Sequence, residues 1–277
     1  MKADCHMHMV LDGVDWKASI ARGIDDAFIL GVLKDYADKG YRYLRDGGDR
    51  FGVGKRAREL SVSLEITYRT PYAPLCKEGH YGAFIGTAWE SLSHYAHLVA
   101  QHREEGADFI KIMISGLMDF DRFGVLTEEP LAPAEIRELI HIAHEEGMAV
   151  MAHCNGARTA QAAAEGGIDS IEHGAYLDEE ALCAMKDNRV IWVPTVSTIG
   201  NLLGKGRFDD SAVEKILHSA LENTARYHEM GGTVAPGSDA GAWAVPHGCE
   251  TEAGWLEKAG INADALHAGI VAVTERF

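Results

Sequence analysis

Short runs of strand-forming residues alternate with longer helix-patterned runs along the 277-residue chain, and this alternation restricts the fold more than any other feature. The strand-like runs are Ala3–Val10, Tyr41–Arg45, Leu64–Thr70, Asp108–Ser115, Ala149–Cys154, Ser170–His173, Val190–Ser197 and Thr233–Ser238. Each is followed by a helical pattern or a loop. Strands separated in this way pair in parallel, because the crossover returns the chain to the same end of the sheet. Eight such units predict an α/β fold, a closed (β/α)₈ TIM barrel rather than an open sheet. Barrels of this kind take about 250 residues, so the length fits one domain over residues 1–277. No linker divides the chain.

Local signals agree. Pro133 suits the first turn of a helix over Ala134–Glu146, Ile136, Leu139, Ile140 and Ala143 repeat at helical spacing, and Gly147 stops it. Ser211 and Glu214 form a capping-box pattern for a helix that runs to Met230 and ends at Gly231-Gly232. A long loop through Gly79 and Gly82 leads to a helix over Ala88–Glu105. No Gly-rich phosphate-binding motif follows any strand, which removes support for nucleotide-binding folds.

Apolar residues make up 47% of the chain and charged residues 25%, the balance of a soluble globular protein. No apolar run approaches the roughly 18 residues of a membrane span, and the N-terminus lacks a secretory pattern. A cytoplasmic location is therefore expected. The formal charge of −16 disfavours nucleic acid and anionic membrane as partners, since both call for basic patches. A small-molecule substrate is expected instead, and a homo-oligomer is left open. The five cysteines are scattered and form no CxxC, so reduced thiols fit better than a disulfide framework.

Six residues carry the chemistry. His6 and His8 lie two apart on the first strand, so both imidazoles face one side and can grip a divalent ion. Lys111 sits in a run that is apolar on both faces, where an ammonium is costly to bury unless paired or neutralised. The plain alternative is a lysine that snorkels out or joins an internal ion pair. His153 and His173 end the fifth and sixth strands, the positions that line a barrel's active site. Asp239 lies between Gly237 and Gly241 after the last strand; singly it would serve as well for a turn or a cap. Taken one at a time, each has an ordinary structural explanation. All six fall at predicted strand ends, and together they read as a metal site.

The segments Asp4-Cys5-His6-Met7-His8, Tyr43-Leu44-Arg45-Asp46-Gly47-Gly48, Phe109-Ile110-Lys111, Ala152-His153-Cys154-Asn155-Gly156, Ile171-Glu172-His173-Gly174 and Gly237-Ser238-Asp239-Ala240-Gly241 resemble the amidohydrolase superfamily of metal-dependent hydrolases. The branch they resemble most contains prolidase-like dipeptidases and imidazolonepropionase. The resemblance implies two divalent ions. His6, His8 and Asp239 would hold one, His153 and His173 the other, and a carbamylated Lys111 would bridge both. It also implies a metal-activated bridging hydroxide, with Asp239 as the catalytic proton carrier. The expected reaction is hydrolysis of an amide-type C–N bond in an N-acyl amino acid, dipeptide or cyclic amide. Lactone or phosphoester hydrolysis at the same centre and a non-catalytic metal-binding barrel are the competing readings. The ligand mixture suits zinc, with manganese, iron, cobalt and nickel left open. Many relatives add a small β-sandwich domain, which is expected to be absent here. Asn155 stands where many prolidase-like members carry a second histidine. Arg45, Tyr68, Arg69, Tyr176 and His247 are further candidates to touch substrate, against the alternative of structural ion pairs within the barrel.

Overall fold

In the computed structural model, which describes residues 2–277, the strands are β1 (Lys2–Met7), β2 (Tyr41–Asp46), β3 (Thr67–Arg69), β4 (Leu75–Lys77), β5 (Thr87–Trp89), β6 (Ile110–Met113), β7 (Val150–Cys154), β8 (Ser170–His173), β9 (Ile191–Val193) and β10 (Thr233–Val234). They pair in parallel throughout, in the orders β1-β2-β3 and β10-β9-β8-β7-β6-β4-β5. Backbone bonds join the two sheets at both seams. Cys5 N–H donates to Pro236 O at 2.8 Å and His8 N–H to Ala240 O at 2.7 Å; on the far side Asp108 N–H donates to Thr70 O at 3.0 Å.

β3 and β4 share one barrel position: β3 pairs with β2, and after a short break β4 pairs with β6. Eight positions result, as the alternation requires. The stretch expected to be a plain loop through Gly79 and Gly82 instead holds β4 and β5, which pair with each other. Buried Trp89 anchors β5, and the helix that follows starts later than expected, at Leu92, because Ser91 caps it by accepting from His94 N. The helix over Asp210–Glu229 likewise takes Asp209 as its cap rather than Ser211.

Two apolar layers surround the sheet and a third fills it. Helix faces such as Ile136, Leu139, Ile140 and Ala143 pack on the outer strand faces. Inside, Cys5, Tyr43, Phe109, Met151 and Val193 form a cluster of their own, and the C-terminal Phe277 plugs it from below. A barrel interior filled by side chains leaves only its mouth for chemistry. Among the described residues, no helix is long and apolar enough to cross a membrane.

Candidate metal centre

The floor of the mouth begins with a bulge. Asp4 pairs with Leu44 and Met7 with Asp46, so β1 spends one residue more than β2 over this interval. An extra residue of this kind re-aims the side chains around it. Cys5 stays in the barrel interior while His6, its neighbour, also turns inward towards His8 and Glu172. His6 Nε2, His8 Nε2 and Asp239 Oδ1 converge at 3.2–3.4 Å from one another. A cation bound among three such atoms would replace the repulsion of their lone pairs with attraction.

Buried carboxylates fix this cluster from behind. Glu172 Oε2 lies 2.7 Å from His6 Nδ1, which leaves Nε2 as the nitrogen facing Asp239. Carboxylates behind metal-binding histidines act in this way, setting tautomer and basicity. Glu172 also accepts from Arg45 Nη2 at 2.8 Å and Ser170 Oγ at 2.6 Å. Burial pushes its carboxyl up, but Arg45 and His6 outweigh burial and hold it well below the usual carboxylate range. Asp4, equally buried, accepts from Ser238 N at 2.9 Å, Ser238 Oγ at 2.6 Å and Tyr36 Oη at 2.9 Å. It thereby ties the Asp239 segment to β1.

Tight backbone lets these parts meet. At Gly237 a Cβ would fall 2.8 Å from the His6 backbone nitrogen, and at Gly47 it would fall 2.2 Å from His8 Cε1. Asp239 and His173 take left-handed φ values of 56° and 70°. Such angles are costly for side-chain-bearing residues and cluster at functional sites. On a regular strand His173 would point away from Glu172. The left-handed turn brings both to the same centre, with the His6 and His173 rings 5.2 Å apart.

The second half of the centre faces this cluster. His153 and His173 rings are 4.6 Å apart. His153 Nε2 donates to Gly116 O at 3.1 Å, which leaves Nδ1 with the free lone pair. His173 Nδ1 bonds Thr195 Oγ1 at 2.7 Å. Burial lowers His8 and His153 to about 3 and His173 well below its ordinary value, so these rings are neutral, the ligating form. Lys111 is 1% exposed, its Nζ has no hydrogen-bond partner, and burial lowers its amine to about 8. An orphaned amine among imidazoles fits a lysine that is completed by a carboxyl group and a cation.

All six expected ligands line one cavity of about 700 Å³. The five weaker candidates do not line it. Arg45 is wholly buried beneath the floor, donating to Cys5 O, Ser170 and Glu172 and stacking on Phe277. Tyr68 is buried with its hydroxyl towards Met7, and Arg69 pairs with Asp108 at 3.0 Å. Tyr176 packs edge-on against Phe123, and His247 bonds Leu11 O at 2.7 Å. Arg45, Arg69 and His247 are thus engaged by other groups of the fold. Asn155 does line the cavity, yet its amide is committed to Gly116 O and Ala175 N.

Glu172 and Asp4 had no role assigned from the sequence. Asp4 lies two residues before His6 and Glu172 immediately before His173, and that adjacency was the available signal.

The amidohydrolase family pattern matches residues 61–273. The ochratoxinase of Aspergillus niger is 27% identical over 239 residues, which cover 82% of this chain and 46% of that protein. The chain therefore spans about half the length of the curated relatives it matches. A Xaa-Pro dipeptidase structure with bound methionine superposes with a TM-score of 0.79 at 21% identity, covering 98% of this chain and 74% of that one. The Aspergillus niger ochratoxinase structure gives 0.77 at 21% identity, covering 98% and 70%.

Proposed function

Because the chain belongs to the amidohydrolase family, we propose that it is a binuclear metal-dependent hydrolase that cleaves an amide-type C–N bond of a small molecule. An N-acyl amino acid, a dipeptide or a cyclic amide is the class to test. The observation that carries this reading is Lys111: a buried amine with no partner, set among four imidazoles and Asp239 around one cavity.

His6, His8 and Asp239 would hold one divalent ion, His153 and His173 a second, and Lys111 both. For that, the neutral Lys111 amine would add CO₂ and release one proton, giving a carbamate anion with two donor oxygens where an ammonium would be costly to bury. Zinc suits imidazole and carboxylate donors. The ions, when bound, would polarise a carbonyl and lower the pKa of water towards neutrality. Asp239 stands at the floor with part of its carboxylate open to the cavity. It would accept the proton from the attacking water and return it to the leaving nitrogen. Glu172 would keep the His6 ring in register through this cycle. The names of the relatives, an ochratoxinase and a Xaa-Pro dipeptidase, favour amides over other bonds.

The test is a panel of amides, lactones and phosphoesters with metal-loaded protein, in parallel with Lys111→Ala. Amide turnover is expected, and the variant should lose metal and activity together. An active, metal-replete Lys111→Ala protein would defeat the role given to Lys111, and turnover confined to esters would move the reaction class.

A further inference from the structure

The walls of the cavity differ from its floor. Above the ligands they are aromatic, with Phe84, Phe120, Phe208 and Trp243 contributing from separate loops and Trp16 from the start of the helix Trp16–Arg22. Trp16 is 49% exposed and meets the Phe84 ring edge-on at 5.6 Å between centroids. A cavity of about 700 Å³ accommodates a body the size of several fused or linked rings, far more than a short aliphatic acyl group needs.

One cation stands in this wall. Arg207 lies 4.4 Å above the Trp243 ring and 5.3 Å from Phe208, and among the described residues no carboxylate pairs with it. The other charged wall residue, Asp119, is taken up by Arg122 at 2.7 Å. Aromatic faces hold the guanidinium in place without using its N–H donors. Those donors stay available for a planar anion. The net charge of −16 repels anions at a distance, so an anionic substrate needs a local cation of this kind.

We propose that Arg207 is the carboxylate receptor of this site, and that the substrate is an amide with a broad aromatic body and a carboxylate turned towards the mouth. This rests on the amide-hydrolase reading above. The geometry assigns three zones to one ligand: the scissile amide beside Asp239, the rings between Trp16 and Trp243, and the carboxylate on Arg207.

Two measurements test it. The first compares kcat/KM for a naphthoyl amino acid, its primary carboxamide and the acetyl analogue. The naphthoyl acid should exceed its carboxamide by about tenfold or more, the scale of a charge-assisted pair, and exceed the acetyl compound. In Arg207→Met the ratio of acid to carboxamide should fall to about one, largely through KM, and Arg207→Lys should retain part of it. An unchanged ratio in Arg207→Met, or equal use of acetyl and naphthoyl acids, would overturn the assignment. The second titrates tryptophan fluorescence with a naphthalene carboxylate that offers no scissile bond. Binding that disappears in Arg207→Met supports the receptor even where no amide is turned over, in which case only the reaction class fails. Equal binding by both proteins sinks the receptor itself.

Discussion

On the β1 side of the candidate metal centre, three ligand atoms already stand within 3.4 Å of one another, and buried carboxylates, Glu172 and Asp4, grip the segments that carry them. On the β7–β8 side, the histidines lean on neutral partners, Gly116 O and Thr195 Oγ1, and Lys111 Nζ on none. Anionic supports fix ring orientation and raise ligand basicity before any cation arrives; neutral supports do so less. In the proposed binuclear reading, the first half would therefore be the better prepared and the second the looser. A protein built this way should fill and empty its two positions unequally.

The sharpest tests strike Asp239 of the first half and Lys111, which would bridge both. Asp239→Asn should keep at least one metal while turnover falls by at least about 10², read by steady-state kinetics beside elemental analysis. Lys111→Ala should lose both metal and activity. Next comes the support of the better prepared half. Glu172→Gln leaves Arg45 buried without its anion, so stability should drop by about 3–5 kcal/mol in urea unfolding. Metal affinity should fall about 10–100-fold in the same variant. If affinity holds, the carboxylate does not orient His6 and the contrast between the halves dissolves.

Staged chelation addresses the contrast directly. Metal should leave in two steps, the weaker belonging to His153 and His173, and simultaneous release would contradict unequal halves. Thr195→Val should advance the first step by about tenfold at the low end of supporting-shell effects, leaving the second in place. Gly47→Ala offers the mirror experiment. Its Cβ would collide with the His8 ring at 2.2 Å, so the tighter step should weaken.

Much of the frame could be read from residues alone. The helix around Ile136, Leu139, Ile140 and Ala143 buries the face its spacing indicates. His6, His8, Lys111, His153, His173 and Asp239, picked out at strand ends, all line one cavity. What escaped was direction and allegiance. Arg45 looks like a substrate contact by position, yet it is consumed by Glu172 and Ser170 under the floor. The β3–β4 break was hidden because three-residue strands give too little periodicity to register.

Sequence alone determined the alternation of elements and the chemical types delivered to the strand ends, since both follow from local periodicity and residue identity. Only the tertiary structure decided where those side chains aim. The bulge at His6, the left-handed φ of His173 and Asp239, and the grip of Glu172 and Asp4 arise when distant strands close on one another. The cavity wall was settled in the same way, as Phe120, Phe208 and Trp243 come from loops whose paths no local pattern encodes, and Trp16 from a helix start that those loops meet. Backbone dihedrals at a strand end are set by long-range contacts rather than by neighbours in the chain, which is why the candidate ligands could be picked out and their geometry could not.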